Sequence, residues 1–376
     1  MRRAPALLLI LAAIAGVAAL AVAGPSESGA AADRGYDLIE HTSPPMNPAE
    51  TQALADQFFA ELATGSAARG VFPPDERYPM ANANLPLIRT IALVGIYVGN
   101  QYVGHCTGFM VNPIVLMTAA HCLYENGRFY DRVVIVPGYN GESYGPFGVA
   151  ASAKMVVPRG WAEGRGARVP NPNIPDEFDW GIAVVDNPPW GRALEPYPYL
   201  ADAPDSFFTS GAVELFTAGY PGDKPVGMWW TTSREFIVTP TMLYTKMDMW
   251  HGQSGSPIYA ISGDLGFIFS VVSAGNDDWN FSVRFTRAML SALETYCRPF
   301  GCILLTFTVP EGVGLPGTPT PTRTATPSPT PTPTRTVPPT FTPTPTATPT
   351  RTATVPPTPT PRPSPVPIRI PLLARD

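Results

Sequence analysis

Between about Leu85 and Val283, short apolar runs alternate with breaks that are rich in Gly, Pro, Asn and Asp. The runs include IRTIALVGIYV, VLMTAA, RVVIVPG, WGIAVVD, VELFTAGY and GFIFSVVSAG, and they favour Val, Ile, Phe and Tyr. This spacing is typical of an all-β domain of many short strands, closed as a sandwich or as barrels. We therefore expect an all-β fold for this region.

Two helices are predicted outside the strand-rich region. The first has Asn47 as its N-cap, Pro48 in its first turn, Glu50 three residues after the cap, and an apolar face that ends before Gly65. An amphipathic helix of this kind does not fold alone, so it must pack on another part of the chain. The second follows Thr286, a candidate N-cap for the segment TRAMLSALETYC.

The two ends of the chain differ in composition from the strand-rich region. Residues 1–23 contain two arginines, an apolar run and a final Ala-Val-Ala, which predicts a secretory signal peptide, with an uncleaved anchor helix as the alternative. Residues 24–70 are interpreted as a pro-segment or as an ordinary N-terminal extension. Residues 314–367 form a Pro/Thr-rich linker with little to bury, so we expect an extended stalk, and residues 368–376 form a short apolar tag.

Charge and cysteine spacing narrow the classes of function. The net charge is -5 and no Lys/Arg block follows the signal, so neither nucleic acid nor an anionic membrane is indicated as a partner. The cysteines form two local pairs that an exported chain can keep oxidised, Cys106 with Cys122 and Cys297 with Cys302. A zinc site would need a tighter His/Cys cluster. We expect no metal and no cofactor, and no Asp/Asn-rich loop for calcium is recognisable.

The segment GQSGSP contains Ser254 between two glycines, but a serine hydroxyl becomes a nucleophile only beside a base. The chain has four histidines: His41, His105, His121 and His251. None follows Ser254, which excludes the Ser, Asp, His order of the α/β-hydrolases and disfavours an esterase or lipase of that fold. His121 is the favoured base because Cys122 can tie it to Cys106, whereas His41 lies in the predicted pro-segment and His251 is too close to Ser254 in sequence.

A carboxylate is also required to orient the imidazole of the base. Asp179 opens the apolar strand DWGIAVV between His121 and Ser254, a position from which its side chain could be buried. Asp176 and Asp186 are the competitors, but both lie in Pro-containing turns and are more typical of solvated turn residues.

Three motifs resemble those of the trypsin-like serine endopeptidases: GHCTGFMVNPIVLMTAAHC, DWGIAVV and GQSGSP, in that family's His, Asp, Ser order. Within the family, VFPPDERYPMAN and GQSGSP resemble the glutamyl endopeptidase branch. The resemblance implies two six-stranded antiparallel β-barrels and a C-terminal helix. It assigns residues 71–303 to the protease domain, with barrel one at about 85–195, barrel two at about 205–285 and the helix at about 286–296.

The same resemblance implies a role for each candidate residue. His121 is expected to be the general base and acid, Asp179 its orienting carboxylate and Ser254 the nucleophile, with an oxyanion hole from the backbone N–H groups of Gly252 and Ser254. The expected protein is a monomeric, secreted or surface-exposed endopeptidase of proteins or peptides, with the stalk as a candidate for attachment to the cell envelope. The alternative is an inert protease-like binding or adhesion module.

The resemblance also bears on activation. Gln253 precedes the serine where the chymotrypsin branch has an aspartate that binds the newly freed amine, so this charge pair is not available. In the glutamyl branch the new amino terminus lies near the specificity pocket. We therefore expect cleavage near Arg69 and a mature chain that begins at Gly70 or Val71.

The residue preferred before the scissile bond is left open. Asp248 lies six residues before Ser254, where trypsin has its pocket carboxylate, which favours Arg or Lys, although a role as a hydrogen-bonded loop residue is equally open. Val272 occupies the place of the pocket histidine of glutamyl endopeptidases, and Ser273 could support Asp179. The candidate pocket residues are Asp248, Val272, Ser273, Gly275 and Ser282.

Overall fold

A computed structural model describes residues 36–62, 70–141, 145–164, 176–312 and 314–315. The predicted signal peptide, almost all of the Pro/Thr-rich linker and the C-terminal tag lie outside the described residues. In the part of the chain that the structure describes, no helix has the length and apolar character needed to span a bilayer.

The described chain is built mainly from short strands. The strands are β1 (Leu38–Thr42), β2 (Tyr78–Pro79), β3 (Ile91–Val98), β4 (Gln101–Met110), β5 (Val115–Thr118), β6 (Tyr124–Glu125), β7 (Arg128–Phe129), β8 (Arg132–Pro137), β9 (Ala150–Pro158), β10 (Gly181–Val185), β11 (Tyr199–Asp202), β12 (Leu215–Gly219), β13 (Trp229–Ser233), β14 (Phe236–Val238), β15 (Met242–Thr245), β16 (Pro257–Ser262), β17 (Leu265–Gly275), β18 (Asn280–Arg284) and β19 (Thr306–Thr308). The helices are α1 (Pro48–Glu61), α2 (Arg159–Glu163), α3 (Asp205–Thr209) and α4 (Arg287–Cys297), with 3-10 turns at Ile88–Thr90, Ala120–Cys122 and Arg298–Phe300.

The first sheet closes into a six-stranded antiparallel barrel. Its strands follow the order β9-β10-β5-β4-β3-β8, and β8 pairs with β9 to complete the circuit. Every residue of β5, β8 and β10 is buried, as expected from their nearly continuous apolar sequences. This is the first barrel of the predicted fold.

The second sheet is a half-barrel. Its main path is β14-β15-β18-β17-β16-β12-β13-β2, and β11 adds to β17 in parallel. Its two end strands, β14 and β2, do not pair with each other among the described strands. The predicted all-β, trypsin-like fold with a C-terminal helix is confirmed, with one closed barrel and one half-barrel. Helix α4 begins after Thr286, whose Oγ1 accepts a 3.2 Å hydrogen bond from the N–H of Met289.

Residues 36–62, called the arm below, pack on the first barrel. Strand β1 extends the barrel wall by pairing antiparallel with β9. The capping box predicted for α1 is confirmed, since the Asn47 side chain accepts from the N–H of Glu50 and the Glu50 carboxylate accepts from the N–H of Asn47. Phe58 of α1 is fully buried, and a Cβ added to Gly95 of β3 would lie 3.0 Å from its ring. The arm is therefore part of the packed fold.

Candidate active site

His121 and Asp179 are brought together at the end of the first barrel. His121 lies in the 3-10 turn after β5, and Asp179 lies just before β10, which pairs with β5. The Nδ1 atom of His121 is 2.9 Å from Oδ2 and 3.1 Å from Oδ1 of Asp179, and the backbone N–H of His121 donates to Oδ1 at 2.9 Å. The carboxylate thus holds both the ring and the backbone of the histidine.

A β-bulge adds a third group to this pair. The register between β17 and β18 shifts between Val272 and Ala274, so Ser273 is the extra residue of the longer strand. A bulge of this kind re-aims the side chain of its extra residue. The hydroxyl of Ser273 donates a 2.5 Å hydrogen bond to Oδ2 of Asp179, the oxygen nearest to His121 Nδ1.

The carboxylate of Asp179 is held in its ionised form despite its burial. Only 1% of the residue is exposed. Burial alone would raise the pKa of Asp179, but the charge of His121 and the hydrogen bonds from His121 and Ser273 outweigh it, so the pKa lies below its ordinary value. Asp179 can therefore stabilise a protonated His121.

The competing acids and histidines occupy different surroundings. Asp176 accepts the N–H of Phe178 within a turn, and Asp186 is exposed. His41 stacks on the ring of Phe129, with centroids 5.6 Å apart. His105 is partly buried with Nε2 3.0 Å from the carbonyl oxygen of Tyr220, and the loss of hydration lowers its pKa.

Ser254 occupies a tight turn that joins the two sheets. Its carbonyl oxygen accepts a 2.8 Å hydrogen bond from the N–H of Thr107 on β4 and lies 4.0 Å from Sγ of Cys122. The next N–H, that of Gly255, donates to the carbonyl oxygen of Val272 on β17 at 2.7 Å. Ser254 is partly exposed, and its backbone lies beside the residue that follows His121. The backbone of the predicted nucleophile thus lies next to the turn that carries the predicted base.

The glycines on either side of the serine are required by the backbone. Gly252 has a φ of +94° and Gly255 a φ of +84°, a region that favours glycine. A Cβ at Gly252 would overlap His105 and the carbonyl oxygen of Tyr220, and one at Gly255 would overlap the carbonyl oxygen of Thr107. The turn presses closely against the first barrel, which fixes where Ser254 lies.

Thr107 positions this turn, and sequence reasoning missed it. It is fully buried, and its Oγ1 donates to the carbonyl oxygen of Gly252 at 2.7 Å while accepting from the N–H of Tyr220 at 3.0 Å. Together with its N–H to Ser254, Thr107 contacts the turn twice. In the sequence, only the position of Thr107 next to Cys106 could have drawn attention to it. A threonine on a strand is too common to predict such a role.

Gln253 belongs to the interior of the turn. It is fully buried, its N–H donates to the carbonyl oxygen of Trp250 at 2.9 Å, and its Oε1 accepts from the N–H of Trp250 at 3.0 Å. Its side-chain oxygen is thus used in a local ring of hydrogen bonds, whereas Nε2 is buried without a hydrogen-bond partner among the described residues. The activation by cleavage near Arg69 stays a prediction.

The cysteines are paired as predicted, Cys106 with Cys122 and Cys297 with Cys302. The first bond ties β4 to the turn that carries His121. Cys106, His121 and Cys122 bring their ligand-type atoms within 4.8 Å of one another, which resembles a metal site. A metal ion binds cysteine as a free thiolate. Here the two sulfurs are bonded to each other and His121 Nδ1 contacts Asp179, so this group does not fit a metal ion.

Asp248 lies beneath the chain segment that follows Arg69, and it is 2% exposed. Its Oδ1 accepts a 2.6 Å hydrogen bond from the N–H of Phe72, and its Oδ2 accepts one of 2.6 Å from the N–H of Glu76. Burial raises the pKa of Asp248, although the backbone hydrogen bonds from Glu76 and Phe72 oppose the shift. Asp248 thus makes the hydrogen bonds expected of a loop residue, and its alternative role in the substrate pocket stays a prediction.

The other predicted pocket residues are neutral and lie on the paired strands β17 and β18. Val272 and Ser282 are opposite each other, and Gly275 is opposite Asn280. The Ser282 hydroxyl accepts from Ser270 at 2.9 Å. These contacts describe the surroundings of the pocket positions, and their role in binding substrate stays a prediction.

Comparisons with known proteins agree with the resemblance seen in the sequence. The chain is 32% identical over 196 residues to a protein named glutamyl endopeptidase from Bacillus licheniformis, over 51% of this chain and 55% of that protein. It is 27% identical over 227 residues to a protein named extracellular metalloprotease from Bacillus subtilis strain 168, over 58% of this chain and 67% of that protein. No protein-family model matches the chain.

A solved structure supports the fold. The structure of a Glu endopeptidase in complex with MPD aligns with a TM-score of 0.50 and 21% sequence identity, covering 60% of this chain and 98% of that one. This structure confirms the fold, and the sequence match to the Bacillus licheniformis protein confirms the resemblance to glutamyl endopeptidases. The match spans about half the length of the glutamyl endopeptidase from Bacillus licheniformis.

Proposed function

We propose that this chain is an exported serine endopeptidase that hydrolyses peptide bonds with Ser254, His121 and Asp179. The observation that carries the proposal is the buried Asp179 carboxylate, which contacts Nδ1 of His121 at 2.9 Å beside a glycine-flanked serine turn. The similarity to glutamyl endopeptidase supports the same class of reaction.

The arrangement supports acyl-enzyme chemistry. In this mechanism the Ser254 hydroxyl attacks the peptide carbonyl while His121 takes its proton and then donates it to the leaving amine. Asp179 keeps the proton of the neutral ring on Nδ1, so that Nε2 is free to accept. Water then attacks the ester with His121 as the base, which releases the acid and restores the hydroxyl. The N–H groups of Gly252 and Ser254 would stabilise the oxyanion.

The domain boundaries and the location are also part of the proposal. Residues 71–303 would form the protease domain, residues 24–70 a pro-segment cut near Arg69, and the Pro/Thr-rich linker a stalk that could attach the enzyme to the cell envelope. The N-terminal sequence pattern and the relative named an extracellular metalloprotease support an extracellular location. N-terminal sequencing of the secreted protein should find Gly70 or Val71, and a start far downstream would contradict the proposed boundary.

Hydrolysis of a protein substrate by the full secreted chain tests the function. We expect peptide release by the wild type and by Ser262→Ala, a change at the last residue of β16, and none above background by Ser254→Ala or His121→Ala. Circular dichroism spectra must match for all four proteins. A folded wild type that cleaves neither proteins nor a broad peptide library would instead favour the alternative, an inert protease-like binding module.

A further inference from the structure

Residues 70–80, called the strap below, run along the half-barrel. Strand β2 of the strap pairs with β13 through Tyr78 and Pro79, and the N–H of Met80 donates to the carbonyl oxygen of Met228 at 2.8 Å. Arg77, whose side chain is 1% exposed, donates to both carboxylate oxygens of Asp223 at 2.8 and 2.6 Å. The strap is therefore held to the half-barrel along its second half.

The first part of the strap is held by Asp248. Each of its two carboxylate oxygens accepts one backbone N–H, from Phe72 and from Glu76, both at 2.6 Å. Charged acceptors form the stronger class of hydrogen bond. Both donors are backbone N–H groups. The hydrogen bonds to Asp248 therefore depend on the backbone conformation of the strap and not on the side chains of residues 72 and 76.

The strap begins against the predicted substrate pocket. The carbonyl oxygen of Gly70 accepts from the N–H of Met249 at 3.0 Å and from Nδ2 of Asn280 at 2.7 Å. Asn280 is paired across the strands with Gly275, one of the predicted pocket residues. A Cβ added to Gly70 would lie 2.8 Å from Oδ1 of Asn280, so the strap approaches this wall as closely as glycine allows.

A cation–π contact also holds the first part of the strap. The Lys246 ammonium group lies 4.6 Å from the ring centroid of Phe72 and 4.3 Å from that of Trp279. Such distances are within the range of cation–π attraction. Trp279 belongs to the turn between β17 and β18, so Lys246 joins the strap to the hairpin that carries Gly275.

We propose that Asp248 is a positioning residue that holds the strap as a wall of the substrate pocket, and that the enzyme therefore does not select Arg or Lys before the scissile bond. This inference rests on the proposed peptidase function. Bidentate recognition of a guanidinium needs both carboxylate oxygens directed into the pocket. Here both accept hydrogen bonds from the strap, and only 2% of the residue is exposed. A substrate cation would have to displace the strap to reach it.

Matched peptides test the wild-type protein directly. The probes are fluorogenic peptides that differ only in the residue before the scissile bond, with arginine against neutral citrulline and lysine against neutral norleucine. We expect kcat/KM for arginine and lysine to be no higher than for their neutral counterparts. A preference for either cationic peptide above about tenfold, the size expected for a charged hydrogen bond, would overturn the inference.

Three variants test the link between Asp248 and the strap. Glu76→Pro removes one backbone donor, Glu76→Gln keeps it as the matched control, and Asp248→Asn weakens the acceptor. We expect Glu76→Pro and Asp248→Asn each to raise KM by about tenfold for every peptide, with kcat changed much less, because the pocket wall is loosened. Since both changes break the same contact, the double variant should be no worse than the more impaired single variant.

The outcomes separate this inference from the proposed function. A selective loss of arginine and lysine cleavage in Asp248→Asn, or fully additive losses in the double variant, would show that Asp248 acts on the substrate and not through the strap. If Glu76→Pro does not fold, the wild-type peptide comparison still decides. A wild type that cleaves no peptide at all contradicts the proposed function, whereas one that cleaves and prefers arginine contradicts only the role assigned to Asp248.

Discussion

Ser273 donates its hydroxyl proton to Oδ2 of Asp179 at 2.5 Å, the same oxygen that lies 2.9 Å from His121 Nδ1. Replacing Ser273 by alanine leaves that oxygen with one partner fewer in a buried place. Because hydrogen bonds to charged groups contribute about 1.5–3 kcal/mol, we expect Ser273→Ala to lower kcat at least about tenfold with little change in KM. Steady-state kinetics on one peptide measures both constants.

Ser270→Ala provides the matched control for this change. Ser270 lies on the same strand, is equally buried, and donates to Ser282 at 2.9 Å instead of to Asp179. Its removal should leave kcat within about twofold of the wild type, since surface and core changes away from the reacting groups act mainly on stability. Equal losses of kcat in both variants would show that the Asp179 contact has no special part in the reaction.

Thr107 offers a second test, at the turn that carries the serine. Thr107→Val keeps the shape but leaves the carbonyl oxygen of Gly252 and the N–H of Tyr220 without their hydroxyl partner. A buried group left without its hydrogen-bond partner costs about 1–3 kcal/mol. We therefore expect Thr107→Val to lower kcat by about tenfold or more. Thr107→Ser keeps the hydroxyl and should restore most of the rate. A serine variant as impaired as the valine variant would assign the effect to packing alone.

The ion pairs of the strap predict how stability depends on pH. Hydrogen bonding to Arg77 is the largest effect on Asp75 and holds its pKa well below its ordinary value. A carboxyl group with a lowered pKa stabilises the fold above its unfolded pKa, about 3.9, and loses that contribution as the pH falls through its folded pKa. Asp75→Asn should therefore lower Tm by about 2–4 °C at pH 7, with the gap closing below about pH 4.

Thermal unfolding of the full chain across this pH range measures the gap. Asp264→Asn, at an exposed turn position, is the control for removing a carboxylate and should leave Tm unchanged at every pH. A difference in Tm between wild type and Asp75→Asn that grows toward low pH would contradict a lowered pKa of Asp75 in the folded protein.

The arm should contribute to the stability of the first barrel. Phe58 is fully buried against β3, and replacing a buried Phe by Ala typically costs about 3–5 kcal/mol because a cavity remains. We expect Phe58→Ala to lower the free energy of unfolding of the uncleaved chain by this amount in denaturant titrations. Asp56→Ala, at an exposed position of the same helix, should change it by less than about 0.5 kcal/mol. A silent Phe58→Ala would mean that the arm is not part of the cooperative fold.

Local patterns in the sequence predicted much of the fold. The alternation of apolar runs and turn residues predicted the strands, and Asn47 and Thr286 marked the starts of α1 and α4 because a cap acts within three residues of itself. Asp179 could be favoured over Asp176 because it opens a buried strand. The strands, the helix starts and the choice of Asp179 all depend on residues that are close together in the chain, and such local patterns can be read from the sequence.

Contacts between distant segments could not be predicted in the same way. Asp248 is bound by backbone N–H groups more than 170 positions earlier, and a backbone donor has no sequence signature. Ser273 reaches Asp179 because a bulge turns it, and a bulge depends on the pairing register of two strands. The arm was expected to pack on something, but only the structure shows that its partner is the first barrel.

Covalent labelling of the folded, secreted chain with an organophosphonate probe tests the central claim most directly, because the probe reacts only with an activated serine. Intact-mass measurement should show one adduct per wild-type molecule, peptide mapping should locate it on Ser254, and Ser254→Ala should remain unlabelled. A folded wild type that takes no adduct, or one labelled equally in Ser254→Ala, would contradict the assignment of Ser254 as the nucleophile.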